Sequence, residues 1–212
     1  TVQLFVQNKS ADFNLCEVQL APKVSSFTPL QLLKMLWVFL TLIPSLGKVL
    51  RFIQLERKDH TSWGLIFKKI YLNAHILKAH VDWLHFGFAT QSLGSEHVAK
   101  AIGAKMAVSF RGFDINVYPT KYPNCYNKLW ATVDKVHSIS EYLYRKAVGL
   151  GLSEHVQYQI ITPAVVTELL PEPYKTTNKT LQISTIARLN WIKGLETAIS
   201  AMALLKKEGV KF

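Results

Sequence analysis

The chain has 212 residues, of which 49% are hydrophobic and 18% charged, and its formal net charge is +11. This length can form one well-packed core, or one domain and part of another. The composition is typical of a soluble α/β protein, and the positive charge favours negatively charged partners such as nucleic acid, anionic lipid or phosphorylated ligands. Cys16 and Cys125 lie far apart without CxxC spacing, so the sequence indicates neither a disulfide framework nor a zinc site, and a reducing cytosol is expected.

The first eighty residues carry the densest positive charge, with ten Lys and Arg against four Asp and Glu. The pattern predicts a strand over residues 2–6 and helices over residues 29–42 and 62–77. Residues 30–46 are the most apolar stretch, although Lys34 and Pro44 interrupt it, and they are fewer than the about 20 that span a membrane. Two interpretations remain open: a helix packed in its own domain, or an interfacial helix whose basic flank meets lipid phosphates.

Strand and helix patterns alternate from residue 81 onward. The predicted strands cover residues 81–85, 106–110, 135–138 and 156–161, and the predicted helices cover residues 95–102, 122–131 and 140–148. This alternation predicts a parallel sheet. The prolines and polar residues of positions 163–179 then indicate a linker between two domains.

Polar residues follow the predicted strands, where an open parallel sheet binds its ligands. His85 closes one strand, Arg111 closes the next with Asp114 shortly after it, and Ser140 and Glu141 follow the third. Each position also has a structural interpretation. These are a hydrogen-bonded histidine at a strand end, an aspartate that caps a loop, and a serine cap followed by an ordinary first-turn glutamate.

The last predicted unit is a strand, a turn and a helix. An apolar strand over residues 181–187 stops at Arg188, the turn carries Lys193 and Gly194, and an amphipathic helix follows over residues 195–208. A guanidinium, an ammonium and the positive end of a helix dipole together suit a diphosphate. The alternative is that both cations are solvated charges on an ordinary loop.

Several ordered blocks of the chain resemble the family 4 retaining glycosyltransferases of GT-B fold, especially the branch that builds exopolysaccharides such as colanic acid, and lipopolysaccharide cores. The resemblance covers residues 81–212, whereas residues 1–80 match only in general character. The matching blocks are His85-Phe86-Gly87, Phe110-Arg111-Gly112-Phe113-Asp114, residues 134–141, Leu150-Gly151-Leu152 and residues 188–194. Much of the family has His-Gly where this chain has Arg111-Gly112, and arginine does not accept a proton as a neutral imidazole does.

The resemblance implies two Rossmann-like domains of α/β class. Residues 1–165 would form an N-terminal acceptor-side domain that is incomplete at its start, residues 166–179 a linker, and residues 180–212 the first βαβ portion of a nucleotide-sugar-binding domain. Complete enzymes of this type are nearly twice as long. The chain is therefore expected to be a fragment, inactive as written, that leaves the apolar face of its last helix exposed.

The resemblance also implies metal-independent transfer, with retention of configuration, from a nucleotide-diphosphate sugar to a glycan or lipid-linked acceptor, without a cofactor. The implied catalytic residues are His85, Arg111 and Asp114. The implied donor diphosphate-binding residues are Arg188, Lys193 and Gly194. The implied cleft-lining residues are Gly87, Ser140 and Glu141.

Two alternative functions remain at this point. One is a non-catalytic basic module that binds nucleic acid or an anionic membrane. No aromatic-basic RNA motif, helix-turn-helix signature or zinc spacing accompanies the charge, so nucleic acid is not an expected partner. The other is an inactive, truncated transferase domain. The expected location is the cytoplasm, with peripheral contact on the cytoplasmic face of the inner membrane.

Overall fold

The computed structural model describes residues 2–7, 16–164 and 182–212. The chain divides into two compact units, Thr1–Ala164 and Val165–Phe212. The linker predicted over residues 166–179 lies outside the described residues, so its boundaries stay a prediction.

The first unit alternates strands and helices. Its strands are β1 (Gln3–Val6), β2 (Glu17–Leu20), β3 (Trp83–Phe86), β4 (Lys105–Phe110), β5 (Lys135–Ser138) and β6 (Gln157–Ile160). Its α-helices are α1 (Thr28–Thr41), α2 (Leu46–Lys58), α3 (Trp63–Leu72), α4 (Ala74–Leu77), α5 (Val98–Ile102), α6 (Tyr118–Lys121), α7 (Asn127–Trp130) and α8 (Glu141–Gly149). Short 3₁₀ turns at Ile43–Ser45 and Ala89–Ser92, and a π-helical turn at Phe113–Val117, connect some of these elements.

Strands β3, β4, β5 and β6 form one parallel sheet in which chain order equals spatial order. Each pair is joined by a crossover that contains helix, as parallel neighbours require. Apolar strand residues such as Val108 and Val136 are fully buried, and they share the core with Phe52 and Ile66 of the helices. The α/β class with a Rossmann-like parallel sheet is therefore confirmed.

A second, two-stranded parallel sheet pairs β1 with β2. The sheet packs on α4, where the rings of Phe5 and His75 meet edge to face at 5.9 Å, and the segment after β2 is bound to α3, where the Tyr71 hydroxyl donates to the Lys23 carbonyl at 2.8 Å. Strand β2 was not among the predicted elements. Its four residues carry no apolar run long enough to mark a strand from sequence alone.

Three predicted helices differ in the structure. The helix predicted over residues 95–102 begins only at Val98. The helix predicted over residues 122–131 is wrong for its first part, because helix α7 begins only at Asn127. Asn124 has φ of 60°, a left-handed conformation that helical residues do not adopt. The helix predicted over residues 62–77 is broken at Asn73, whose side chain donates to the Lys69 carbonyl at 2.9 Å.

The second unit contains a 3₁₀ turn at Trp191–Lys193 and helix α9 (Leu195–Lys207). The strand predicted at residues 181–187 is not formed by its described residues. A strand needs a neighbour to accept its backbone hydrogen bonds, and the described part of this unit provides none. The predicted exposed face is found in part: no residue of α9 is buried and Ile199 is 70% exposed, but Leu195 and Met202 on the same face are half-buried.

Candidate active site at the carboxyl ends of the strands

Three polar side chains form a hydrogen-bonded row across neighbouring strands β3, β4 and β5. His85 Nε2 lies 2.8 Å from Ser109 Oγ, and Ser109 Oγ lies 2.8 Å from His137 Nδ1. The parallel register pairs His85 with Ala107 and Ser109 with His137. The row therefore runs along the carboxyl-terminal part of the sheet, where open α/β sheets bind ligands.

The Ile161 carbonyl, which is bonded to His137 at the end of this row, determines which nitrogen and oxygen atoms of the row carry protons. His137 Nε2 lies 3.1 Å from the Ile161 carbonyl, which can only accept, so this nitrogen donates. In the neutral ring Nδ1 then accepts from the Ser109 hydroxyl. Ser109 Oγ in turn accepts from the Nε2–H of His85. His85 consequently presents an unprotonated Nδ1, a hydrogen-bond acceptor, away from the row.

The pKa of His85 is lowered from its usual 6.5, first by partial loss of solvation and second by the positive charge that His137 can carry. The neutral ring is thus favoured at neutral pH. Its side chain is exposed to solvent. Together with Gly87 it borders an open cleft of about 1710 Å³ that extends from β3 to β1. This volume exceeds the roughly 300–1,000 Å³ that is typical of ligand pockets, so the cleft is wide and open.

Arg111 and Asp114 lie at the turn that follows β4. Asp114 is fully buried; its carboxylate accepts from the backbone N–H and the hydroxyl of Thr90, at 3.1 and 3.0 Å, and from the backbone N–H of Arg111 at 3.1 Å. Both oxygens are therefore used inside the protein. Among the interpretations of Asp114, these contacts favour the loop cap that positions Arg111 over direct contact with a sugar.

The Arg111 side chain itself is exposed. Its guanidinium lies 5.3 Å from the ring centroid of Phe88, in the segment that follows His85. Cation–π stacking of this kind holds a guanidinium in place and leaves its N–H groups free to bind an anion. The turns after β3 and β4 are brought together at the same edge of the sheet by this contact.

Ser140 and Glu141 occupy the start of α8. Ser140 Oγ accepts from the backbone N–H of Leu143 at 3.3 Å, and the exposed Glu141 accepts from Arg145 Nε at 2.7 Å. These are the contacts of a helix cap and of a surface pair one helical turn apart. The structural interpretation therefore accounts for both residues, and their place in a ligand cleft stays a prediction.

The predicted diphosphate-binding residues belong to the second unit. Arg188 is exposed in a segment without regular secondary structure. Lys193 ends the 3₁₀ turn, in which the Ile192 N–H donates to Asn190 Oδ1 at 3.2 Å. Gly194 has φ of 62° and precedes the first turn of α9. A residue without Cβ suits this left-handed position. Lys193 and Gly194 directly precede the start of α9, and the convergence of Arg188 with them on a diphosphate stays a prediction.

Sequence reasoning missed Ser109 and the link from it to His137. In the sequence Ser109 is a single small residue in an apolar strand. Only the strand register shows that it lies between His85 and His137. Among the described residues, no group of three or more His, Cys, Asp or Glu side chains lies close enough together to hold a metal ion.

Comparison with known proteins gives one informative similarity. The chain is 29% identical over 163 residues to the putative colanic acid biosynthesis glycosyltransferase WcaL of Escherichia coli. The matched region is 76% of this chain and 40% of that protein, so the chain spans less than half of its relative. No family model and no solved structure matches the chain. The similarity supports a relationship to glycosyltransferases, in agreement with the parallel α/β sheet.

Proposed function

We propose that this protein is a retaining glycosyltransferase that moves a sugar from a nucleotide-diphosphate sugar to a glycan or lipid-linked acceptor in the synthesis of a cell-surface polysaccharide. The observation that carries the proposal is His85, at the carboxyl end of β3 beside an open cleft, with its Nε2–H bound to Ser109. The similarity to a putative colanic acid glycosyltransferase supports the same class of reaction.

The proposed roles follow from the chemistry of each side chain. His85 Nδ1 accepts a hydrogen bond from a sugar hydroxyl, which orients the sugar without adding charge. Arg111 binds an anionic group through its free N–H donors. Asp114 positions the Arg111 backbone and touches no substrate.

The physical difficulty of the reaction is the leaving group. The bond between the anomeric carbon and the diphosphate oxygen breaks while a bond to the acceptor oxygen forms on the same face, and the acceptor proton passes to the departing diphosphate. Arg188, Lys193 and the start of α9 stabilise the negative charge that gathers there. The proposed transfer uses no metal and takes place in the cytoplasm.

The experiment that tests this function is product analysis with a panel of UDP- and GDP-sugars, made with the chain extended to the full length of its glycosyltransferase relative, because the chain alone is expected to be inactive. The protein is expected to consume one donor and to give a product with the anomeric configuration of that donor, measured by NMR. Inverted configuration contradicts the retaining mechanism. Failure to consume any donor, by folded protein supplied with extracted lipid-linked acceptors, contradicts transferase function.

Two variants test the leaving-group site. Arg188→Ala and Lys193→Ala should each slow transfer roughly 30- to 1000-fold, because a lost charge-stabilising donor costs about 2–4 kcal/mol of barrier. Lys207→Ala is the matched control, since it removes the same charge from the far end of α9. Equal rates for Lys193→Ala and Lys207→Ala would show that Lys193 is only a solvated charge.

A further inference from the structure

The outward face of α1 and of the first half of α2 is apolar. Its exposed side chains recur every three or four residues through both helices and the turn between them. We call the following residues the α1–α2 apolar surface: Leu33, Leu36, Trp37, Leu40, Ile43, Leu46 and Leu50. Trp37 is 68% exposed and Leu33 is 65% exposed. A contiguous apolar area of this kind on a protein surface marks an interaction site.

The opposite face of α1 already packs in the protein. Val38 and Phe39 lie against the core, and Leu42 is buried after the helix end. Helix α1 is therefore apolar on both sides. Packing of α1 within its own domain explains the inner residues. It does not explain why Trp37 and the other residues of the α1–α2 apolar surface are apolar.

The exposed charges on α1 and α2 have one sign, and the first acidic side chain after them, Asp59, is paired with Lys128 at 2.8 Å. No Asp or Glu occurs between Glu17 and Glu56. Glu56 is itself fully buried and bonded to Lys69 at 2.8 Å and Lys128 at 3.3 Å, so it offers no negative charge to the surface. An anionic partner would meet no acidic side chain on either helix along this stretch.

Cations and aromatic rings border the same surface. Lys34 belongs to α1, and the Lys78 ammonium lies 3.4 Å from the Thr41 hydroxyl at the end of that helix. The Arg57 guanidinium lies 5.1 Å from the ring centroid of Trp63, which is exposed at the start of α3. Lysine and arginine next to exposed tryptophan are typical of the interface between lipid headgroups and acyl chains.

The helix geometry favours lying on a bilayer. Within the described residues, no single helix has both the length and the apolar character needed to cross a membrane. Thr28–Thr41 and Ile43–Lys58 together have that length and composition, but they are bent by 55°. We propose that the α1–α2 apolar surface docks on an anionic lipid bilayer, with its aliphatic side chains and Trp37 among the headgroups and Lys34, Arg57 and Lys78 on lipid phosphates. Docking does not require transferase activity, so vesicle binding and sugar transfer can succeed or fail separately.

Co-sedimentation with vesicles tests this proposal. The full chain should pellet with vesicles of phosphatidylcholine and phosphatidylglycerol. It should pellet far less with phosphatidylcholine alone, and added salt should weaken binding to the anionic vesicles because part of the attraction is electrostatic. Lys34→Gln should lower the apparent affinity for anionic vesicles about fivefold, since one cation near such a surface contributes about that factor.

Two variants distinguish binding through the α1–α2 apolar surface from nonspecific binding to vesicles. Trp37→Asp should abolish pelleting, whereas Ile199→Asp should leave it unchanged. Ile199 is 70% exposed, much like Trp37, but it lies on α9. Both positions are exposed, so both variants should keep the thermal unfolding midpoint of the wild type, which circular dichroism checks.

Three results would overturn the proposal. One is the absence of pelleting with anionic vesicles at low salt. Another is equal pelleting of Trp37→Asp and Ile199→Asp. The third is self-association in the absence of lipid that Trp37→Asp abolishes, measured by light scattering, because the surface would then be covered by a second copy of the chain.

Discussion

At the scale of single residues, the orientation of His85 depends on Ser109. The Ser109 hydroxyl accepts from His85 Nε2–H and donates to His137 Nδ1, each at 2.8 Å. Ser109→Ala removes that acceptor and lets the His85 ring adopt the other tautomer. We expect transfer to fall roughly 10- to 100-fold, by analogy with lost partners of positioned histidines. The ¹⁵N chemical shifts of the His85 ring should change with it.

Ser140→Ala is the control for this prediction. It removes the cap of α8 and should cost about 1 kcal/mol of stability, but it touches neither histidine. The ¹⁵N shifts of His85 should then stay as in the wild type. Unchanged shifts in Ser109→Ala would mean that the row does not set the tautomer, and that the serine only fills space.

The positions of His85 and Arg111 could be predicted from the sequence, whereas the burial of Asp114 could not. His85 and Arg111 close apolar runs, so their place at strand ends follows from the sequence. The burial of Asp114 does not, because it depends on hydrogen bonds from Thr90, a residue twenty-four positions earlier. Contacts between separate strands and turns are set by the fold and leave no local pattern.

At the scale of elements, a buried ionic cluster ties α2 to α3 and to α7. Glu56 is fully buried and receives hydrogen bonds from Lys69, Thr61 and Lys128. Burial raises the pKa of Glu56, but the hydrogen bonds of Lys69 and Thr61 and the charges of Lys69 and Lys128 together outweigh it, so the net pKa lies below the usual 4.5. The carboxylate is thus held in its charged form.

Glu56→Gln should destabilise the protein by roughly 1.5–3 kcal/mol, because Lys69 and Lys128 lose hydrogen bonds to a charged acceptor, although Lys128 keeps its ion pair with Asp59 at 2.8 Å. Urea unfolding measures the loss. Glu141→Gln is the matched control, since that residue pairs with Arg145 on the surface and should unfold as the wild type does. Equal stability of the two variants would contradict a structural role for the cluster.

Elements with strong periodic patterns were predicted within a few residues. Strand β5 spans the residues expected, and α5 ends at Gly103, whose φ is 84°. The sequence pattern does not predict helix α2 and indicates its residues only as the basic flank of the apolar stretch at residues 30–46. Pro44 and the 3₁₀ turn at Ile43–Ser45 separate α2 from α1. After the bend a second helix begins, and its apolar residues face a different direction. Hydrophobic periodicity alone does not reveal such a change of direction.

At the scale of the whole molecule, acid should weaken the first unit through His75. Burial, and then the charge of Lys78, lower the pKa of His75 from 6.5 to about 4. The unfolded chain therefore binds this proton before the folded chain does, and stability falls as pH decreases from about 6.5 to about 4. Glu56 adds a further loss below its usual pKa of 4.5.

His75→Phe keeps a ring beside Phe5 and removes the titrating group. The free energy of unfolding of this variant should depend less on pH between 6.5 and 4 than that of the wild type. Urea unfolding at several pH values measures both. His60→Phe is the control, because His60 is exposed. A wild-type stability that is flat over this interval would contradict the buried, neutral state of His75.

The proposed transferase function depends most directly on His85. Transfer from the preferred sugar nucleotide should be measured in the same extended, active protein for the wild type, for His85→Ala and for His155→Ala, which removes an exposed histidine elsewhere in the first unit. We expect His85→Ala to lose roughly 5- to 150-fold in turnover, because an unmade hydrogen bond to the sugar costs about 1–3 kcal/mol, while His155→Ala keeps the wild-type rate. Equal turnover of the three proteins would contradict a site at the carboxyl end of β3.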